Sequence, residues 1–208
     1  MIEIFILSIV QGVTEFLPVS SSSHLIIISE YLNFEKQSLS IDVSLHIGSF
    51  IAVITYFRKD IVNFIRNKGL FFKIFLSSIP VMLTGFLLVE FELINQLRNL
   101  QVIGWTTIIF GILLYVSDKF SIENKIDNNF TIKSAMIIGI LQIFSLIPGV
   151  SRSGIAITAA RVLKFNRLDS AKISFLLSIP TLAAVSFYGL RSLLFSDNVD
   201  FSILNLPG

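Results

Sequence analysis

No cysteine occurs in these 208 residues, which excludes disulfides, thiolate metal sites and a cysteine nucleophile. Charge is scarce as well: Asp, Glu, Lys and Arg make up 14% of the chain, against about 25% in an ordinary soluble domain. The formal net charge of +2 is too small to draw in nucleic acid, so no nucleic-acid partner is expected. There is one tryptophan, while phenylalanine supplies 20 residues. The rest is dominated by apolar side chains, with 53% hydrophobic residues and a mean hydropathy of +0.81, the composition of a membrane protein. The N-terminal MIEIFILSIV carries Glu3 and no Lys or Arg, which argues against a cleaved secretory signal.

Apolar runs at about 41–57, 70–89, 102–117 and 172–190 are long enough, at ~1.5 Å per residue, to approach or cross a ~30 Å hydrocarbon layer. Four shorter runs come in pairs interrupted near a proline. Residues 2–17 stop at Pro18 and restart at 21–32, and 133–147 stop at Pro148 and restart at 154–163. A break exposes backbone polar groups that lipid cannot satisfy, so each pair is expected to be covered by protein or to line a wet cavity. Basic residues concentrate in three loops, around Arg58 to Lys73, Lys119 to Lys133 and Arg161 to Lys172. Placing all three inside makes the first broken pair enter and leave from outside and the second from inside.

The breaks also resemble each other. SIVQGVTEFLPVSSSS aligns with GILQIFSLIPGVSRSG, pairing Gln11 with Gln142, Ser20 with Ser151 and Ser22 with Ser153. The expected fold is therefore an all-α polytopic membrane protein, one domain over 1–208, with inverted-topology repeats at about 1–118 and 131–208 and two re-entrant helical hairpins. Two further spans would need roughly 40–50 residues, so the second repeat is expected to be incomplete, its C-terminal helices missing.

Polar residues collect at the breaks. Glu15 and Arg152 are ionisable groups at membrane depth, each expected to cost ~2.5–3.5 kcal/mol on insertion and so to be functional. Gln11 and Glu15 are four apart and share a helix face, where their oxygens form a candidate site for a divalent cation, Mg²⁺ or Ca²⁺. Ser20, Ser21, Ser22 and Ser23 open one half-helix; Ser151 and Ser153, with Gly149 and Gly154 beside them, open the other. Serines at helix starts are N-caps, and the free N–H groups there bind phosphate. Arg152 adds a planar fork for two phosphate oxygens. His24, one turn beyond Ser20, is a candidate acid, base or nucleophile, whereas His46 in DVSLHIGS reads as merely hydrogen-bonded within its helix.

QGVTEFLPVSSSSH and PGVSRSG resemble the two signatures of the membrane undecaprenyl-diphosphate phosphatases, the bacitracin-resistance proteins, and DVSLHIGSFIAV and FLLSIP resemble further stretches of that family. The resemblance implies a multi-pass enzyme of the bacterial plasma membrane, with its site facing outward. Such an enzyme hydrolyses undecaprenyl diphosphate to the monophosphate with the help of a divalent cation, recycling the lipid carrier for peptidoglycan synthesis. By position, Glu15 matches the motif carboxylate, Gln11 its variable first place, Ser21 the motif serine, His24 the motif histidine and Arg152 the second signature's arginine. The nucleophile is either Ser21, with Glu15 or His24 as base, or a water activated by Glu15 and metal. The partners implied are a polyprenyl diphosphate lipid and the membrane, with a homodimer left open. The competing class is a membrane transporter or lipid flippase with an anion-binding cavity.

Overall fold

A computed structural model of the chain describes residues 2–34, 39–91, 93, 97–120 and 124–195. Lys36, Glu92 and the segment 196–208, where the incomplete second repeat was expected to end, lie outside the described residues. Among the described residues ten α-helices follow one another. They are α1 (Ile2–Thr14), α2 (Ser21–Tyr31), α3 (Leu39–Tyr56), α4 (Arg58–Arg66), α5 (Lys68–Glu90), α6 (Leu100–Ser117), α7 (Ile126–Asn129), α8 (Ile132–Leu141), α9 (Arg152–Val162) and α10 (Arg167–Phe195). A 3₁₀ turn, Gln142–Leu146, extends α8. Among the described residues the sole β feature is an isolated bridge between Asn124 and Phe165.

Among the described residues three helices are long and apolar enough to cross a membrane: Lys68–Glu90, Leu100–Ser117 and Arg167–Arg191. They enclose the expected runs at 70–89, 102–117 and 172–190. The fourth expected span is α3, which does not end in a loop. It turns by 80° into α4, where a basic loop was expected. In RKDIVNFIR the apolar Ile61, Phe64 and Ile65 recur at helical spacing among charges, so the segment is an amphipathic helix with Phe64 buried. The chain is thus an all-helical, multi-pass membrane protein.

Outward faces are apolar, as lipid contact requires. Trp105, Ile108, Ile112 and Tyr115 on α6 and Leu83, Phe86 and Leu87 on α5 are all exposed, a band far larger than a water-soluble surface carries. The interior is built from small residues. On α9, Gly154, Ala156, Ala159 and Ala160 are buried, and this half-helix packs against α6, α8 and α10. Close packing of small residues is how helices associate where lipid is as apolar as the protein.

At one end of the bundle the three basic loops come together. Phe64, Ile74, Phe130, Ile138, Phe165 and Ile173 form one buried cluster there, and Lys73 Nζ donates to Phe130 O at 2.6 Å. Arg161, fully buried, donates from Nη1 to Phe165 O and from Nη2 to Asp118 O and Phe120 O. It therefore serves as a cross-link between the end of α6 and the α9–α10 turn, with carbonyls in place of water. Arg167 grips the Asp118 carboxylate with Nε and Nη2 at 2.8 and 2.6 Å.

Two consequences can be measured. A Cβ on Gly139 of α8 would fall inside the contact radius of the Ser77 carbonyl on α5, whereas one on Gly111 would meet nothing. Gly139→Ala should cost about 1–3 kcal/mol and lower the thermal midpoint in detergent; Gly111→Ala should leave it unchanged or raise it. The Arg167 fork, followed by the Arg167 and Arg161 charges, holds the Asp118 carboxyl below its usual range. Its contribution is present at neutral pH and lost as pH falls below about 4, so wild type and Asp118→Asn should converge in thermal midpoint on acidification.

Candidate active site

Thr14 ends α1, and a turn carries the chain through Glu15 to Pro18 before α2 begins at Ser21. At 13 residues, α1 is about 20 Å long. On the second side, Pro148 and Gly149 separate the 3₁₀ turn from α9. Gly149 has φ 96° and packs tightly against Thr106 and the Ile103 carbonyl of α6, while Thr106 Oγ1 donates to Pro148 O at 2.6 Å. Gly149, expected to face a ligand, instead anchors this break to α6, because only glycine combines that φ with so close an approach.

The two breaks meet. Ser153 Oγ donates to Leu17 O at 2.7 Å and Ser151 Oγ reaches the same carbonyl at 3.4 Å. Across this seam Arg152 Nη2 pairs with Glu15 Oε1, and Arg152 Nη1 donates to Thr181 Oγ1 on α10 at 3.0 Å. The other carboxylate oxygen is held locally. Ser21 Oγ donates to Glu15 Oε2 at 2.6 Å and Gln11 Nε2 at 2.7 Å. The Glu15 side chain is 1% exposed, and Arg152 is 20% exposed, so the arginine forms the accessible lip over a buried carboxylate. Beside the pair lies a cavity of about 90 Å³ lined by Ser153, Ser174 and Ser178.

The remaining residues named from the sequence fall around this centre unequally. Ser151 caps α9 as expected, accepting from Gly154 N at 3.1 Å. Ser20 does not cap α2: its hydroxyl bonds Ser23 Oγ at 2.9 Å and Ser22 Oγ at 3.4 Å. Its φ of 59° is uncommon for a residue with a side chain and characteristic of functional turns. His24 is directed back along its helix, with Nδ1 2.8 Å from Ser20 O, and makes no polar contact with Glu15. Instead His46 of α3, which the sequence reading left in a structural role, places Nε2 3.4 Å from Glu15 Oε2. The signal was present: a histidine deep in an apolar run is a polar group at membrane depth.

These residues do not fit a protein-held divalent cation. Of the Glu15 oxygens, Oε2 is approached by Ser21, Gln11 and His46 and Oε1 by Arg152, so each already has a protein partner. The single free oxygen is Gln11 Oε1, buried and without a partner, and no group of three His, Asp or Glu side chains forms among the described residues. Mg²⁺ needs six oxygens, so an ion would have to arrive on its substrate's phosphates.

Residues 4–205 match the family described as bacitracin resistance protein BacA. The chain belongs to this family. A relative from Pelagibacter ubique, an undecaprenyl-diphosphatase, is 50% identical over 92% of this chain and 75% of its own length. The undecaprenyl-diphosphatase of Saccharophagus degradans is 44% identical over 94% of this chain and 78% of its own length. That of Teredinibacter turnerae is 40% identical over 99% and 83%.

A test of the cation argument follows. Calorimetric titration of the detergent-solubilised protein with Mg²⁺ or Ca²⁺ alone should show no binding tighter than about 1 mM, and saturable uptake should require a diphosphate.

Proposed function

We propose that this chain hydrolyses undecaprenyl diphosphate to undecaprenyl phosphate and inorganic phosphate, returning the lipid carrier to peptidoglycan synthesis and thereby opposing bacitracin. The observation that carries this reading is the 2.6 Å hydrogen bond from Ser21 Oγ to Glu15 Oε2, in a carboxylate whose second oxygen is met by Arg152. A hydroxyl already donating to a buried carboxylate is arranged as a nucleophile with its base. The curated relatives carry the name of this activity over nearly the whole chain.

In the proposed step Ser21 Oγ attacks the terminal phosphorus. Its proton passes to Glu15, the P–O bond of the anhydride breaks, and the electron pair leaves with undecaprenyl phosphate. Glu15 releases that proton to the departing phosphate, then takes one from the water that attacks the phosphoserine and returns it to Ser21 Oγ as inorganic phosphate leaves. Arg152 supplies the fixed positive charge that such a transfer needs, and in this reading Ser22, Ser151 and Ser153, at the starts of α2 and α9, orient phosphate oxygens. Glu15 serves as base in this reading; the hydrogen bond of His24 to its own helix argues against His24 in that role.

The same reading covers topology. Helix α1, at about 20 Å, falls short of a ~30 Å hydrocarbon layer, and α2, α8 and α9 are shorter still. Each half-helix pair packs on itself, and the breaks carry the polar groups. Re-entrant hairpins from inverted repeats, 1–118 and 131–208, account for this arrangement. With the basic loops inside, the site opens to the outer face of the plasma membrane.

The test is phosphate release from a polyprenyl diphosphate by protein in detergent. Wild type should release it, while Glu15→Ala and Arg152→Ala should each lose at least about 100-fold in kcat. Ser21→Ala should lose as much, and acid quenching of wild type should trap phosphoserine at position 21. Full activity of Ser21→Ala would replace the serine by water, and no release by wild type would favour transport.

A further inference from the structure

We propose that His46 is a positioning residue for this reaction, the group that holds Glu15 while Arg152 is engaged with the diphosphate. The inference rests on the reading of Glu15 and Arg152 given above. His46 stands on α3, which packs against α1 and α10, and therefore lies on a different element from every other group that touches the carboxylate.

The ring's orientation follows from one hydrogen bond. Its Nδ1 lies 2.7 Å from the backbone oxygen of Asp42; a carbonyl oxygen only accepts, so Nδ1 carries hydrogen and donates. The donation fixes the ring plane and aims Nε2 at Glu15 Oε2, 3.4 Å away. Asp42 is itself buried and tied to Arg98 by a 2.7 Å ion pair, so the backbone carrying that carbonyl is anchored. Nε2 and Oε2 are therefore held close to hydrogen-bond distance, and a small advance of the carboxylate closes the gap.

The reason to close it arises in turnover. Arg152 has one guanidinium, now shared between Glu15 and Thr181. When the diphosphate enters, its oxygens compete for the same fork. As Arg152 shifts toward phosphate, Glu15 loses its cation at a depth where an unmatched carboxylate is costly. Ser21 cannot compensate, because it gives up its proton in the same step, and Gln11, one turn earlier on the same segment, moves with the carboxylate. His46 alone among the four is neither consumed, nor drawn to the substrate, nor carried on the segment that has to be held. As an imidazolium, with hydrogen on Nε2 as well as Nδ1, it donates to Oε2 and keeps that oxygen turned toward Ser21 Oγ, and displacement of a reacting group by about 1 Å is enough to cost on the order of 100-fold in rate.

Phosphate-release kinetics on the full chain, with wild type and Glu15→Ala as references, test this. His46→Gln retains an N–H donor of similar reach and should keep kcat within about threefold of wild type. His46→Leu and His46→Asn remove the donor or withdraw it, and each should lower kcat at least about tenfold with KM within about twofold. Thermal unfolding in detergent accompanies every variant; if the leucine protein fails to fold, the asparagine protein carries the comparison. A folded leucine or asparagine variant with kcat within twofold of wild type would overturn the proposal, as would a loss confined to KM or a glutamine variant as slow as the leucine one. If Glu15→Ala matched wild type, the reading of the site would fall and not merely the role of His46.

Discussion

One buried carboxylate governs this molecule. Glu15 sits in the break after α1 with 1% of its side chain exposed, and a charge so buried persists only if its surroundings replace the water it has lost. The replacement comes from four directions: Gln11 on its own helix, Ser21 across the turn, His46 on α3 and Arg152 on the far break. Two of these contacts are local and form whenever residues 11–21 adopt their turn. The other two require α3 and α9 to be in place, so the carboxylate couples the local geometry to the packing of the whole bundle.

The related sequences around the breaks give this coupling its form. With Gln11 opposite Gln142 and Ser20 opposite Ser151, Ser21 falls opposite Arg152 and Glu15 opposite Leu146. Ser21 and Arg152, corresponding positions, take the two oxygens of the same carboxylate. The second break has no carboxylate of its own, which is what makes the site single and asymmetric: one break brings acid and hydroxyl, the other brings the cation. Gln142, fully buried with both amide atoms unpartnered, is the counterpart of Gln11 without its glutamate.

Much of this was legible in the sequence, and the exceptions share a cause. Periodic apolar length located α5, α6 and α10, because bilayer thickness imposes a minimum run that soluble folds do not need. Charge at membrane depth singled out Glu15 and Arg152, and their joining across the breaks is what the pattern of two similar interruptions suggested. Local rules failed where tertiary contacts decide. Serine after a break reads as an N-cap, yet Ser20 gives its hydroxyl to neighbouring serines. Gly149 reads as part of a phosphate-binding helix start, yet its close packing is against α6. His46 reads as a helix histidine bonded to its own backbone, which it is, but its second nitrogen points to a residue 31 positions earlier in the chain. The basic stretch after α3 reads as a loop because charge outweighs its four apolar residues, although Ile61, Phe64 and Ile65 recur at helical spacing.

The broken helices explain why such a site can exist inside a membrane. A continuous helix satisfies its own backbone and offers only side chains to a ligand. A break releases N–H groups at the start of the next half-helix, and two breaks facing each other concentrate them around one point. Those donors favour an anion, and so does Arg152, so the empty site carries a positive bias that Glu15 offsets. A diphosphate replaces that internal counter-charge with its own, drawing Arg152 outward just as the carboxylate is needed as a base. The ion pair that stabilises the resting site is thus the one the substrate must rearrange, and the residues that keep Glu15 aligned during the exchange bear on rate more than on binding.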